Sequence, residues 1–306
     1  MTSHTATIRG PRAHRGPLVE PRTRAGGVAV TAVILAKDES ANIGRAISSV
    51  WWCSQVVVVD SGSTDGTPER AEALGATVLR ERWRGFPAQR EWMLRHPVVA
   101  NDWIYFLDAD EWIPPDLAAE IAERLGEPGV QAYRQRRRLV FMGRWIAHCG
   151  WYRGSWQVKL MDRRSASYAD AETYGERATI DGRIGTLRFD VVDDDAKGLA
   201  AWLHKHIGYA ELEAERRRNA SGARSVMIAL ATSRAARRGR PVARTVAKEV
   251  VFPVLPAKAF VKFFYMFVLR GGWRDGRPGL AFCFFHAWHE FTVGQILRSS
   301  SCPKAR

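Results

Sequence analysis

Two apolar runs in this chain each stop at an aspartate, and together they constrain its fold more than any other feature. Val56-Val57-Val58-Val59 ends at Asp60 and turns through Ser61-Gly62-Ser63-Thr64-Asp65-Gly66-Thr67, while Trp103-Ile104-Tyr105-Phe106-Leu107 ends at Asp108-Ala109-Asp110. Continuous β-branched and aromatic runs of this length read as strands buried on both faces. In open α/β sheets the carboxyl ends of such strands are where ligands bind. An aspartate pair separated by one residue on that rim suits a divalent cation carrying a diphosphate, because Mg²⁺ and similar hard ions take one or two carboxylates plus substrate phosphates.

The flanking pattern supports the same architecture. Residues 28–35 predict a first strand, followed by a helix capped near Ser40 with Ile43, Ala46, Ile47 and Val50 on one face. Residues 55–59 form the second strand. Pro68 opens a helix over 69–74 that Gly75 ends, and residues 76–80 form the third strand. A helix over 90–94, a strand over 102–107 and a helix from Pro114-Pro115 to Leu125 come next. Residues 131–141 predict a further strand, partly exposed because it carries Arg134, Arg136, Arg137 and Arg138. This alternation predicts an α/β fold with a doubly wound, mostly parallel sheet and right-handed crossovers. Beyond Asp195 the pattern turns helical, beginning with an amphipathic helix over 199–218. The expected organisation is a disordered basic leader over 1–27, a catalytic domain over 28–195, and a helical region over 196–306.

Composition narrows the functional classes. A hydrophobic fraction of 46% is enough for a true core. Cys53, Cys149, Cys283 and Cys302 are scattered without a Cys-x-x-Cys pair, which argues against a zinc ribbon or disulfide framework and fits a reducing cytosol. Residues 1–27 have no apolar core of the kind a secretory signal needs. The formal charge of +14 is unevenly placed: residues 216–248 hold nine arginines and one lysine and no acid. No nucleic-acid recognition motif accompanies this block. An apolar stretch over 250–269 follows, interrupted by Pro253, Pro256, Lys258 and Lys262, so an interfacial anchor on an anionic membrane is expected rather than a spanning helix. Residues 280–297 form a second amphipathic or core segment.

Phosphate-binding alternatives are missing. No Gly-x-Gly-x-x-Gly follows the first strand and no Gly-Lys-Ser/Thr loop exists, which argues against a dinucleotide oxidoreductase and a P-loop NTPase. A diphosphate must then be held by metal and side chains. Lys37-Asp38-Glu39, at the end of the first strand, and Asp60 offer carboxylates suited to a ribose or a base N–H, with Asp60 the better placed for the base.

Taken as an ordered set, Val33-Ile34-Leu35-Ala36-Lys37-Asp38-Glu39, the Val57-to-Thr67 run and Phe106-Leu107-Asp108-Ala109-Asp110-Glu111 resemble the signatures of family-2 glycosyltransferases. The resemblance spans residues 28 to about 125. It implies a GT-A fold and transfer of a sugar from a nucleotide donor, UDP-sugars being favoured. Phe141-Met142-Gly143-Arg144-Trp145-Ile146, Gly150-Trp151-Tyr152 and Lys159-Leu160-Met161-Asp162-Arg163 are similar to the subgroup containing lipopolysaccharide-core β-glucosyltransferases. Asp194-Asp195-Ala196-Lys197 and residues 209–214 are similar to that subgroup's helical region.

The resemblance also implies roles. Glu39 and Asp60 would contact the nucleoside, with Asp65 on the same donor side. Asp108 would lie near the ribose or diphosphate, Asp110 would bind Mg²⁺ or Mn²⁺, and Arg90 would touch the diphosphate. Trp151 and Tyr152 are the acceptor-side candidates, Trp151 as a sugar platform. An inverting transfer needs a base for the acceptor hydroxyl; Glu176 is the candidate by its place in the motif, with Asp170 and Glu172 as rivals. Two departures stand out: Asp38-Glu39 replaces the family's frequent Asn-Glu, and Gly175-Glu176 stands where the subgroup has His-Glu. His204 and His206 are expected on opposite sides of a helix, and His286 and His289 are expected to pack, so zinc is not implied.

The expected protein is therefore a metal-dependent glycosyltransferase of the cell-envelope type, peripheral on the cytoplasmic face of the membrane. It would act on a glycan, glycolipid or glycosylated small molecule, and no nucleic acid is expected to bind. A sugar nucleotidyltransferase is the enzymatic rival, but Ala36-Lys37-Asp38-Glu39 is not the glycine- and arginine-rich loop it needs. A non-catalytic basic membrane- or nucleic-acid-binding protein on a degenerate α/β scaffold is the other, and the joint presence of Asp60, Asp108 and Asp110 argues against it.

Overall fold

The computed structural model describes residues 23–168, 178–219 and 258–299. Its first part runs β1 (Val28–Ala36), α1 (Ile43–Ser49), β2 (Cys53–Asp60), α2 (Thr67–Ala73), β3 (Thr77–Arg80), α3 (Phe86–Arg95) and β4 (Trp103–Asp108). β1 pairs in parallel with β2 and β4, and β2 with β3, giving the order β3-β2-β1-β4. The alternation of apolar runs and helices forces this arrangement, because parallel neighbours need crossovers long enough to hold a helix.

Side chains at successive strand positions go to opposite faces, and here both faces are buried. Val30, Ala32, Ile34, Val56, Val58, Tyr105 and Leu107 face one core, which Ile43 and Ile47 of α1 and Ala71 of α2 cover. Val33, Leu35, Val57, Val59, Ile104 and Phe106 face the other, which Met93 and Leu94 of α3 cover. Each fully buried large side chain contributes roughly 1.5–3 kcal/mol. The strands can therefore be largely apolar on both faces up to the rim, with Thr31 donating to Gln55 at 2.7 Å as a buried polar pair between β1 and β2.

Past β4 come β5 (Glu111–Trp112), α4 (Pro115–Arg124), β6 (Val130–Phe141), β7 (Arg144–Trp145), β8 (Trp156–Asp162), β9 (Ala166–Ser167), β10 (Thr179–Ile180), β11 (Arg183–Thr186) and β12 (Val191–Asp193). The sheet continues from β4 through antiparallel β8 and β6, then to β12 and β5. It is a mixed sheet, parallel where the first four strands lie. The exposure of β6 expected from its arginines is moderated by stacking: Arg136 lies 4.5 Å from the Trp156 ring centroid and Arg138 4.8 Å from that of Trp145.

One local expectation is corrected. The first helix is not capped by Ser40 but begins at Ile43 after Asn42, whose side chain makes no cap bond. That amide donates instead to Glu39 at 2.8 Å and to Asp195 at 2.8 Å, so it ties the rim together. At the other end, residues 23–27 lie along β2: Arg24 N donates to Ser54 O at 2.6 Å, and its guanidinium sits 4.2 Å from the Trp51 ring centroid.

The helical region comprises α5 (Gly198–Asn219), α6 (Lys258–Phe264), a π-helical turn (Tyr265–Leu269), a 3₁₀ turn (Gly272–Asp275) and α7 (Gly276–Ser299). It packs directly on the sheet's far end, where Phe141, Ile146 and Cys149 form one cluster with Met266, Phe282 and Cys283. Asp275, buried, accepts from His148 N at 2.9 Å and faces His148 Nδ1 at 2.7 Å. Among the described residues no helix is long and apolar enough to cross a membrane. Most of the basic block, and residues 250–257 of the expected anchor, lie outside the described residues.

Candidate active site

The end of β4 is anchored by a buried charge cluster. Asp108 accepts from Arg90 Nη2 at 3.1 Å and from Lys159 Nζ at 2.9 Å, and its own N–H donates to Glu111 Oε2 at 3.1 Å. Lys159 also contacts Glu111, which is fully buried. Burial works against the Asp108 carboxylate, but the Lys159 ammonium and the Arg90 guanidinium outweigh it and hold its pKa well below the usual range. Burial drives Glu111 upward, Lys159 opposing and Asp108 adding to the push. Arg90, 4% exposed, is thus committed to bracing Asp108.

Two residues on, Asp110 reaches the cleft. Lys205 Nζ of α5 lies 3.2 Å from its carboxylate, and its backbone oxygen accepts from Asp194 N at 3.0 Å, which ties the β4 turn to the end of β12. Asp193 lies beside them, 3.2 Å from Arg137 Nη1. Burial and the charge of Asp110 push the Asp193 carboxyl up to about 8. Burial opposes the Lys205 ammonium, yet Asp110 holds it protonated well above the ordinary lysine range.

At the end of β1, Glu39 accepts from Asn42 and from Lys197 Nζ at 2.6 Å, while burial raises its pKa. Asp60 closes its own turn, accepting from Gly62 N and Ser63 N, both at 3.1 Å. Asp65 accepts from Ser40 N at 2.9 Å and from Thr67. Burial works against the Asp65 carboxylate, but the Thr67 and Ser40 donors together outweigh it and bring its pKa down to about 2. Asp38, at φ +52°, accepts from Thr64 N at 2.8 Å, so the two strand-end turns are laced to each other.

These elements enclose a cleft of about 740 Å³. Glu39, Asp108, Asp110 and Trp151 line it, together with Ser61 and Asp193. Asp60, Asp65 and Arg90 do not, and instead shape the loops and the carboxylate behind it. Tyr152 is turned away: its hydroxyl donates to Asp190 at 2.8 Å. Asp170, Glu172 and Glu176 lie outside the described residues.

Sequence reasoning missed Glu111, Lys159, Arg137, Asp193, Lys197 and Lys205. A lone lysine inside the apolar run of β8, and three consecutive acids after Val191-Val192, were the available signals. The opposite wall was missed as well. Trp202 of α5 stacks on His206 with ring centroids 3.5 Å apart, and Trp151 lies 5.1 Å from His286 and 5.7 Å from Phe282 of α7. Burial depresses both histidines, His206 to about 4 and His286 well below the usual value, so each is a neutral imidazole at neutral pH. His206 Nδ1 bonds Trp202 O at 2.8 Å; His286 Nε2 is buried with no hydrogen-bond partner among the described residues.

Among the described residues no group of three His, Cys, Asp or Glu side chains is set to hold a metal unaided. The donor set nevertheless fits a hard cation. Asp110 opens to the cleft with Asp193 beside it, whose carboxyl is pushed up chiefly by burial and then by the charge of Asp110. Such ions need only one or two carboxylates when phosphates complete the shell.

An open α/β sheet whose carboxyl rim carries acids from three strand ends around one cleft is the arrangement of a GT-A-type domain. Residues 31–165 match the glycosyl transferase family 2 model, and the domain they form belongs to that family. An uncharacterized glycosyltransferase of Rickettsia felis is 43% identical over 93 residues, 30% of this chain and 32% of its own length. The lipopolysaccharide core biosynthesis glycosyltransferase LpsC of Rhizobium meliloti is 27% identical over 165 residues, 52% of this chain and 60% of its own. The chain thus spans about a third of the Rickettsia relative it matches. Among solved structures, glucosyl-3-phosphoglycerate synthase from Mycobacterium tuberculosis, in complex with Mn²⁺, UDP and glucosyl-3-phosphoglycerate, aligns at 27% identity over 37% of this chain and 45% of its own, with a TM-score of 0.32.

Proposed function

We propose that this protein transfers a sugar, with inversion, from a nucleotide-diphosphate donor, UDP-sugars being favoured, to a glycan or lipid-linked acceptor of the cell envelope. The observation that carries the reading is Asp110: a carboxylate open to the cleft, one residue past an aspartate locked in place by Arg90 and Lys159. The family match and the similarity to LpsC support the reaction class and the envelope setting.

Mg²⁺ or Mn²⁺ would be held by Asp110 with Asp193 beside it, and supplies Lewis-acid stabilisation of the leaving diphosphate. Lys205 adds fixed positive charge at the same edge, where developing negative charge needs it. Glu39 faces the nucleoside end, its carboxylate oriented by Asn42 and Lys197. Asp60, Asp65 and Arg90 serve the donor indirectly, by holding the turns and Asp108. The acceptor lies against Trp151, Trp202 and Phe282, where the lone His286 Nε2 meets a sugar hydroxyl. Glu176, with Asp170 and Glu172 as rivals, takes the acceptor proton. These three belong to the segment between Tyr168, packed edge-on against Phe106, and Ala178. The protein works as a peripheral enzyme on the cytoplasmic face of the cell membrane and binds no nucleic acid.

The test is a titration of purified protein with UDP-, GDP- and dTDP-sugars, with and without Mn²⁺, beside Asp110→Asn. Metal-dependent binding of one donor class, lost in the variant, is the expected result. Equal binding by both proteins, or none by either, overturns the reading.

A further inference from the structure

A second concavity, of about 350 Å³, lies between the loop that follows β7 and the turns that precede α7. Arg153, Arg270 and Arg274 line it. Among the described residues none of the three guanidinium groups has a carboxylate within ion-pair distance. The nearby acid, Asp275, is buried and already committed to His148. Three uncompensated cations around one hollow repel each other, and an anion held among them relieves that repulsion.

The rim of the hollow is apolar. Leu269 and Trp273 line it and are 66% and 60% exposed, and Phe264 and Phe260 on α6 are 55% and 79% exposed. The π-helical turn Tyr265–Leu269 carries Leu269 to this edge. Large apolar and aromatic side chains standing in water beside a cationic hollow are the complement of an anionic headgroup with acyl chains around it.

We propose that this hollow binds the phosphate of an anionic phospholipid in a bilayer, with Leu269, Trp273 and the α6 phenylalanines inserted among the acyl chains. The inference rests on the membrane-peripheral reading above and names the surface that makes the contact. Its position has a functional sense: Trp151 N donates to His148 O at 3.3 Å, so the hollow's wall runs directly into the acceptor wall of the cleft. A protein docked there would present its acceptor side to the membrane.

The test is flotation of the full chain with phosphatidylcholine vesicles, with and without phosphatidylglycerol, for wild type, Arg153→Gln/Arg270→Gln/Arg274→Gln and Leu269→Ser/Trp273→Ser. Nucleotide-sugar binding by each variant serves as the folding control. The expected result is phosphatidylglycerol-dependent binding, weakened about 100-fold by the triple arginine variant, at roughly tenfold or less per charge near a membrane surface. The Leu269/Trp273 variant is also weakened, although its charge is unchanged. Phosphatidylglycerol-dependent binding equal in all three proteins overturns the hollow but leaves the membrane reading standing, carried by residues 216–248. No vesicle binding by wild type overturns both, while donor binding judges the glycosyltransferase reading separately.

Discussion

Lys159 Nζ lies 2.9 Å from Asp108 Oδ2 and also touches Glu111, so a single buried ammonium neutralises the root of the rim from which Asp110 projects. Removing it leaves Asp108 with Arg90 alone and Glu111 buried with no ion-pair partner among the described residues. Lys159→Met is expected to cost about 3–5 kcal/mol, because an unpaired buried charge is much worse than no charge at all. Urea denaturation followed by circular dichroism measures this. A loss under 1 kcal/mol would show that the cluster is not structural.

Asp110 stands in the opposite position. It is open to the cleft and paired with one half-exposed lysine. Asp110→Asn is expected to leave stability within about 0.5 kcal/mol, while transfer from the nucleotide-sugar falls by roughly 10²–10³. Thermal melts and turnover on the same preparation separate the two effects.

The histidines set a pH dependence. His206 titrates near 4 in the fold, burial being the main cause, against an ordinary 6.5, and His286 and His289 are shifted in the same direction. Between those values the unfolded chain binds protons that the folded chain refuses. Their contribution is therefore whole above pH 6.5 and declines as pH falls toward 4. Trp202, stacked on His206, reports the change through its fluorescence. Melting temperatures are expected to drop between pH 6.5 and 4.5, and the drop should shrink in His206→Gln. Identical profiles for the two proteins would contradict this assignment.

Gly272 is a tight point between the helical region and the loop that follows β7. A β-carbon there would stand 2.7 Å from Cys283 Sγ and 2.9 Å from Cys149 Sγ. Gly272→Ala is expected to destabilise by roughly 1–3 kcal/mol. The loss should fall on the packing of α7, read as faster hydrogen exchange in residues 276–299 with β1 and β2 unaffected.

The first half of the fold was legible because its physics is local. Ala32 to Ala36 and Val56 to Val59 are apolar on both faces, which only a covered parallel strand tolerates, and each run stops where the rim begins. That Glu39 and Asp110 stand at the strand ends beside the cleft was legible for the same reason. Asp60 and Asp65 were seen, but not that they spend their oxygens on Gly62, Ser63, Ser40 and Thr67. A sequence gives the carboxylate without the donors that claim it. β5, β7 and β12 are two or three residues long and have no period to read. The meeting of Trp151 with Phe282 and His286, more than 130 positions apart in the chain, depends on packing that no window contains.

Lys197 and Lys205 reach Glu39 and Asp110 from beyond the segment that the family shares. Trimming the protein to residues 31–165 would therefore strip the carboxyl rim of two of its cations and the cleft of its aromatic wall. The unit that builds the cleft is larger than the matched segment. Grafting α5 and α7 from one relative onto the sheet of another would exchange Lys205 at the rim and the Trp202–Phe282 side of the cleft in one stroke.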